Sequence, residues 1–281
     1  MLFDLLKAVL FGIVEGICEW LPISSTGHLI LLEEILSLNV SDDPIMNIQF
    51  RTMFEVVIQL GAILAVVVIY FNRLNPFERN NRPLWIKLIL ATLPAAAIGF
   101  AADALCQATL GVDLDALLFV PQTVAAALII YGIAFILLEL SKRNKKTEAS
   151  ELQITNKSAL AIGFFQALAI IPGTSRSGAT ILGARLLGLD KKSSTEFSFF
   201  AAVPAILGAS FLKIIEFSQF MISSKSTLSF QAYLLLATAF FTAFAVSVPI
   251  LKLLISFLRG HSFIPFGIYR IILGITVFIT L

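Results

Sequence analysis

The sequence predicts an all-α polytopic membrane protein built as an inverted-topology repeat, with about six spanning helices and two re-entrant helical hairpins. Three observations carry that prediction. Of 281 residues, 58% are hydrophobic and 14% charged, with a mean hydropathy of +0.93, where an ordinary globular chain has roughly 45–50% apolar and about 25% charged residues. The apolar segments recur at lengths close to the ~20 residues that carry a helix across a bilayer. Three segments of the first half also return, in order, in the second.

The opening element, residues 1–36, is an apolar run that carries Glu15 and Glu19 and breaks at Pro22 into Ser24-Ser25-Thr26-Gly27-His28. Its early Lys7 follows Asp4, and no small-residue cleavage site precedes Pro22, so the segment reads as part of the mature protein rather than as a signal peptide. Residues 37–53 are polar and read as a loop, and 54–71 make the first full crossing. A basic loop at 72–87 (Arg73, Arg79, Arg82, Lys87) leads to a crossing at 86–102. An acidic connection at 103–115 (Asp103, Asp113, Asp115) leads to another at 117–140. The stretch SKRNKKTEASELQITNK, 141–157, is the most basic of the chain and reads as a cytoplasmic linker between a first repeat, 1–140, and a second, 158–281.

The second half opens with an apolar run from 158, broken at Pro172-Gly173 into Thr174-Ser175-Arg176-Ser177-Gly178, with a second arm ending at Asp190. Crossings follow at 196–212, 231–250 and 263–281. GIVEGICEWLPISSTG aligns with GFFQALAIIPGTSRSG, setting Ser24 against Ser175 and Gly27 against Gly178. FEVVIQLGAIL (54–64) echoes FSFFAAVPAIL (197–207), and LILAT (88–92) echoes LLLAT (234–238). Every basic loop falls on one side of the membrane only if 1–36 and 158–190 each enter and leave by the same face. Non-helical backbone at membrane depth is tolerated where it lines a cavity, and inverted repeats with broken helices place their binding site at that junction.

The residues at the two breaks suit a metal and an anionic substrate. Glu15 and Glu19 lie one helical turn apart on one face, where they repel unless a cation or a proton intervenes. Ser24, Ser25, Thr26 and Gly27 on one tip, and Gly173, Thr174, Ser175, Ser177 and Gly178 on the other, open helices whose N–H groups and dipoles suit phosphate. Arg176 adds a planar fork for phosphate oxygens. A divalent cation removes the conflict between carboxylates and a diphosphate. His28 serves as acid or base near neutral pH, and Ser25 or Thr26 as the attacking oxygen.

Plainer readings stand beside these. Ser, Thr and Gly are common packing residues of membrane helices. Gln59 and Gln166 read as interhelical hydrogen-bonders, and Arg270, inside the last crossing, as the neutraliser of an acidic neighbour or part of an inward pathway. Cys18 and Cys106 stand alone in apolar sequence and read as small hydrophobes. A net charge of +2 says nothing about nucleic acid, no basic stripe with interleaved aromatics suggests it, and no nucleic-acid partner is expected.

In EGICEWLPISSTGHL (15–29), FEVVIQLGAILAVV (54–67), PGTSRSGATI (172–181) and EFSFFAAVP (196–204), the chain resembles the undecaprenyl-diphosphate phosphatase family, the bacitracin-resistance type of membrane phosphatase. The resemblance runs across nearly the whole chain. It implies hydrolysis of a C55 isoprenyl diphosphate to the monophosphate, which recycles the peptidoglycan lipid carrier and confers bacitracin resistance. It also implies a bacterial plasma-membrane enzyme dependent on a divalent cation, Mg²⁺ or Ca²⁺. The family's glutamate motif falls on Glu15 and Glu19, its serine–histidine motif on Ser24, Ser25, Thr26 and His28, and its arginine motif on Ser175 and Arg176. The resulting expectation has Glu15 and Glu19 holding the metal, Ser25 attacking, His28 handling the proton and Arg176 clamping phosphate, on the extracytoplasmic face. Attack by water with His28 as base is the alternative route. A homodimer is compatible with the sequence but not read from it. The rival class is a secondary transporter or lipid flippase, which needs alternating access but no nucleophile.

Overall fold

The computed structural model describes residues 1–143 and 154–281, so most of the 141–157 linker lies outside the described residues. Among those residues there is no strand. The chain forms α1 (Leu2–Cys18), α2 (Ser25–Ile35), α3 (Pro44–Ile69), α4 (Phe71–Leu74), α5 (Arg82–Leu110), α6 (Leu114–Leu118), α7 (Pro121–Arg143), α8 (Asn156–Ala167), α9 (Arg176–Leu186), α10 (Lys191–Ser223), α11 (Phe230–Gly260) and α12 (Ile264–Thr280). Five of these, α3, α5, α7, α10 and α11, are long and apolar enough to cross a membrane, and α12 is a shorter apolar helix of 17 residues. This is the architecture of a multi-pass membrane protein.

Several helices extend past the expected crossings. Residues 44–53 are helix rather than loop, because Asp43 caps α3 (its carboxylate accepts from the Ile45 N–H at 3.0 Å) and Pro44 occupies the first turn. The polar residues there hide an apolar stripe: Met46, Phe50 and Phe54 recur at helical spacing and are all buried. Likewise α5 absorbs both the end of the basic loop and most of the acidic one, stopping only at Gly111 in the left-handed region (φ 69°). Asp190 caps α10 through the Ser193 N–H, so that helix starts at Lys191. With 33 residues, α10 is about 50 Å long at 1.5 Å per residue, against a hydrocarbon core of about 30 Å. Its polar ends therefore reach the headgroup region.

The packing partners repeat. Helix α1 lies against α11 and α8 against α5; α3 touches α11 and α10 touches α5; α7 pairs with α12 and α3 with α10. Exchanging α1 with α8, α3 with α10, α5 with α11 and α7 with α12 maps this set of contacts onto itself. Gly12 and Gly163, aligned in the two halves, both sit where a Cβ would run into a neighbouring backbone carbonyl, Ala239 O at 2.6 Å and Ala91 O at 2.8 Å. Small residues permit such close helix approach in membranes. Gln166 donates to Ala91 O at 3.2 Å across the same α5–α8 seam.

The phenylalanines divide by position. Phe135, Phe199, Phe200 and Phe263 pack with Trp20 in one buried cluster beside the helix breaks, and Phe50 and Phe54 pack with Phe11 in a second, while Phe77, Phe230 and Phe278 face outward. Both cysteines are unpaired, Cys18 buried and Cys106 half-buried.

Candidate functional site

Two breaks in helical structure build the site, and they share one local geometry. Helix α1 ends at Cys18, and α2 begins at Ser25 after Ser24 takes φ 75°, with the Ser24 hydroxyl accepting the Gly27 N–H at 3.4 Å. Helix α8 gives way to a 3-10 turn, Leu168–Ile170, and α9 begins at Arg176 after Ser175 takes φ 69°, with the Ser175 hydroxyl accepting the Gly178 N–H at 3.1 Å. A positive φ in a residue with a side chain costs about 1–3 kcal/mol and persists only where the surroundings enforce it. Here two serines hold it at aligned positions, each offsetting part of the cost by capping its own helix. Gly173, at φ 89°, lies where a Cβ would come within 2.5 Å of Val124 O, so only glycine fits. The arms have 17 and 11 residues at the first break and 12 and 11 at the second.

The two breaks meet. The Arg176 guanidinium donates to Glu19 Oε1 from Nη2 at 2.9 Å and from Nε at 3.3 Å, and from Nη1 to Ser198 O at 2.8 Å. Ser25 Oγ donates to the other carboxylate oxygen, Glu19 Oε2, at 3.1 Å. Ser177 Oγ reaches back to Leu21 O at 3.3 Å and also lies 3.1 Å from Ser175 Oγ. A hydroxyl, a carboxylate and a guanidinium thus form one line across the junction. Arg176 has five N–H donors, of which three are used here, leaving two to bind an oxyanion. Thr26 lies beside Ser25 in the first turn of α2, but Ser25 is the residue whose hydroxyl hydrogen points at a carboxylate.

His28 lies elsewhere in the network than the sequence suggests. Its Nδ1 is 2.7 Å from Ser24 O and its Nε2 is 2.7 Å from Tyr269 Oη, and neither nitrogen is bonded to Ser25. The Ser25 proton therefore faces Glu19, not the imidazole.

Arg270 does not neutralise an acidic neighbour. It is fully buried and, among the described residues, has no carboxylate partner. It donates instead to backbone carbonyls of both breaks, Pro22 O at 3.2 Å, Gly173 O at 2.8 Å and Thr174 O at 3.0 Å, and to Ala127 O and Leu128 O of α7 at 3.5 and 3.4 Å. Its guanidinium also lies 5.5 Å from the centre of the Tyr131 ring. A charge at membrane depth was the available signal. That its partners are carbonyls was not readable, because carbonyls carry no sequence identity. Tyr269 had no signal at all, being one phenol in an apolar span. Beyond the junction, Glu139 lies between Arg185 (3.6 Å) and Lys191 (3.5 Å) at the far end of α9, a separate ionic cluster.

Glu15 bears on the metal. It is fully buried, and neither of its oxygens has a hydrogen-bond partner among the described residues. A buried carboxylate with no donor is costly until a cation or a proton completes it. No group of three or more His, Cys, Asp or Glu side chains gathers among the described residues. Glu15 and Glu19 are the two carboxylates there that would hold a divalent cation, a number that suits Mg²⁺, which typically uses one or two carboxylates.

Fold and site together define a polytopic helical membrane protein whose polar centre joins two broken helices in a hydroxyl–carboxylate–guanidinium line suited to phosphate chemistry. The chain belongs to the family described as bacitracin resistance protein BacA, which matches residues 8–276. Curated relatives named undecaprenyl-diphosphatase include one from Enterococcus faecalis, 47% identical over 98% of this chain and 96% of its own length. Others come from Acetivibrio thermocellus, 45% identical over 98% and 97%, and from Streptococcus mutans, 47% identical over 98% and 95%.

Proposed function

We propose that this protein is an undecaprenyl-diphosphatase, releasing phosphate from undecaprenyl diphosphate and leaving the monophosphate. The observation that carries this reading is the contact of Ser25 and Arg176 with the two oxygens of one buried carboxylate, Glu19, from opposite breaks in the fold. Membership of the family, and the names of relatives at this identity, support the same substrate.

In this reading the terminal phosphate lies against the first turns of α2 and α9, whose N–H groups and dipoles receive its oxygens. The two unused N–H groups of Arg176 hold it from the side. Ser25 Oγ attacks the terminal phosphorus, its proton passes to Glu19 Oε2, and the bond from phosphorus to the bridging oxygen breaks to release the prenyl monophosphate. Water then attacks the phosphoserine, and Glu19 returns its proton to Oγ as the serine leaves. Preorganised donors aimed at the charge that develops on the transferring group supply most of the acceleration in such a site. Glu15 and Glu19 are the residues that would hold a divalent cation, whose charge offsets the repulsion between carboxylate and diphosphate. The basic loops fall on one side of the membrane when the chain is read as two inverted halves about the 141–157 linker, which opens the site to the extracytoplasmic face. The matched contacts of the two sets of helices support that division.

The test is phosphate release from undecaprenyl diphosphate by purified protein in detergent, with and without chelator. Glu19→Ala, Ser25→Ala and Arg176→Ala are each expected to abolish it. Normal turnover in all three would remove the assignment, and absence of release by the wild-type protein would favour a carrier over a hydrolase.

A further inference from the structure

His28 is held at both ring nitrogens by groups of different kind. Ser24 O can only accept, so Nδ1 carries a hydrogen in either charge state of the ring. In the neutral ring Nε2 is then bare, and the partner facing it is the Tyr269 hydroxyl at 2.7 Å, which donates. The two rings are nearly parallel, 6° apart in plane with centres 5.5 Å apart. Tyr269 is 44% exposed while its neighbour Arg270 is fully buried. The phenol thus meets the imidazole from α12, a helix that Arg270 ties to both breaks.

We propose that Tyr269 is a positioning residue of the reaction: with Ser24 O fixing His28 as the Nδ1–H tautomer, the Tyr269 hydroxyl donates to Nε2, the one basic nitrogen, and holds the ring in place. This rests on the phosphatase reading above for its consequence, but not for its geometry. So held, the ring takes one proton at Nε2 from the water that attacks the phosphoserine, the Tyr269 hydroxyl giving up its hydrogen bond there as the proton arrives, and passes that proton to solvent once phosphate has left. The ring therefore acts on the second, hydrolytic step, and Glu19 on the first.

The chain has two histidines, so full-length protein with ¹⁵N-labelled histidine in detergent gives a spectrum of two rings, assigned with His261→Asn. His28 is expected to show a protonated Nδ1 and an unprotonated Nε2, with the Nε2 resonance displaced in Tyr269→Phe. This readout needs no turnover and stands or falls apart from the phosphatase assignment. In phosphate release, Tyr269→Phe is expected to lower kcat by about tenfold with KM within about twofold, the scale of a misplaced acid–base group. Added to His28→Ala, it is expected to cost nothing further, because residues acting as one unit are not additive. A wild-type ring protonated at Nε2, an Nε2 resonance unmoved in Tyr269→Phe, an undiminished kcat, or losses that multiply in the double variant would each overturn the proposal.

Discussion

Glu19 and Arg176, 157 positions apart in the chain, meet at 2.9 Å with both side chains nearly sheltered from solvent. Neither has another full counter-charge within ion-pair distance among the described residues, and a buried pair is costly to break from one side. Removing one partner strands the other. Arg176→Lys keeps the charge but loses the planar fork that engages Glu19 and Ser198 O at once. Arg176→Lys is expected to lower kcat for phosphate release by about 10²-fold or more, the scale seen when one aimed donor is lost, with the protein still folded by thermal unfolding in detergent.

Ser25 and Thr26 are separated by their hydrogen bonds, not by their chemistry. Ser25→Ala is expected to abolish turnover, whereas Thr26→Ala is expected to keep it within about tenfold, since of the two hydroxyls it is Ser25's that donates to Glu19. Rapid quenching with substrate labelled in its terminal phosphate checks this directly. Label should appear on Ser25 in the wild type, and its absence from the protein would move the attack to water.

Arg270 gives a stability prediction. Arg270→Met leaves the carbonyls of Pro22, Gly173 and Thr174 buried without their donor, at about 1–3 kcal/mol for each group left unsatisfied. A large fall in the unfolding midpoint in detergent is expected, with partial recovery in Arg270→Lys. An unchanged midpoint would show that these carbonyls find other partners.

Gly173→Ala combines two penalties, a φ of 89° and a Cβ within 2.5 Å of Val124 O. The expected loss of stability is about 1–3 kcal/mol, together with reduced turnover as the second break shifts away from Glu19. Gly208→Ala is the control, since a Cβ there meets open space, and it should raise or leave unchanged the unfolding midpoint.

Glu15 frames a cation test. Chelator is expected to abolish phosphate release and added Mg²⁺ or Ca²⁺ to restore it, with Glu15→Gln requiring more metal for the same rate because one of two carboxylate ligands is gone. Release unaffected by exhaustive chelation would leave a proton as the group that completes Glu15.

The parts of this molecule legible in its sequence are those fixed by local chemistry. Pro22 and Pro172 mark where α1 and α8 stop, the Ser-to-Gly spacing of Ser24–Gly27 and Ser175–Gly178 is the spacing of a capped helix start, and long apolar runs mark the crossings. The ends of α3 and α5 were not legible, because Asp43-Pro44 and Gly111 set boundaries inside polar stretches that resemble loops. The partners of His28 and Arg270 were hidden for a different reason. Tyr269 Oη and the carbonyls of Gly173 and Thr174 arrive from distant turns of the chain, and no periodicity announces them. Composition shows that Arg270 must be satisfied but not by what.

Arg270 also sets an order of events during biosynthesis. Both breaks emerge from the ribosome well before α12, the last of the described helices, and until it inserts the carbonyls of Pro22, Gly173 and Thr174 lack the donor that joins them. Domains form from the N-terminus forward as synthesis proceeds, yet this centre closes in the reverse sense, with its fastener arriving after the pieces it joins. A nascent chain halted before that point would carry both breaks without the guanidinium that fastens their carbonyls, so the junction is completed as a late step.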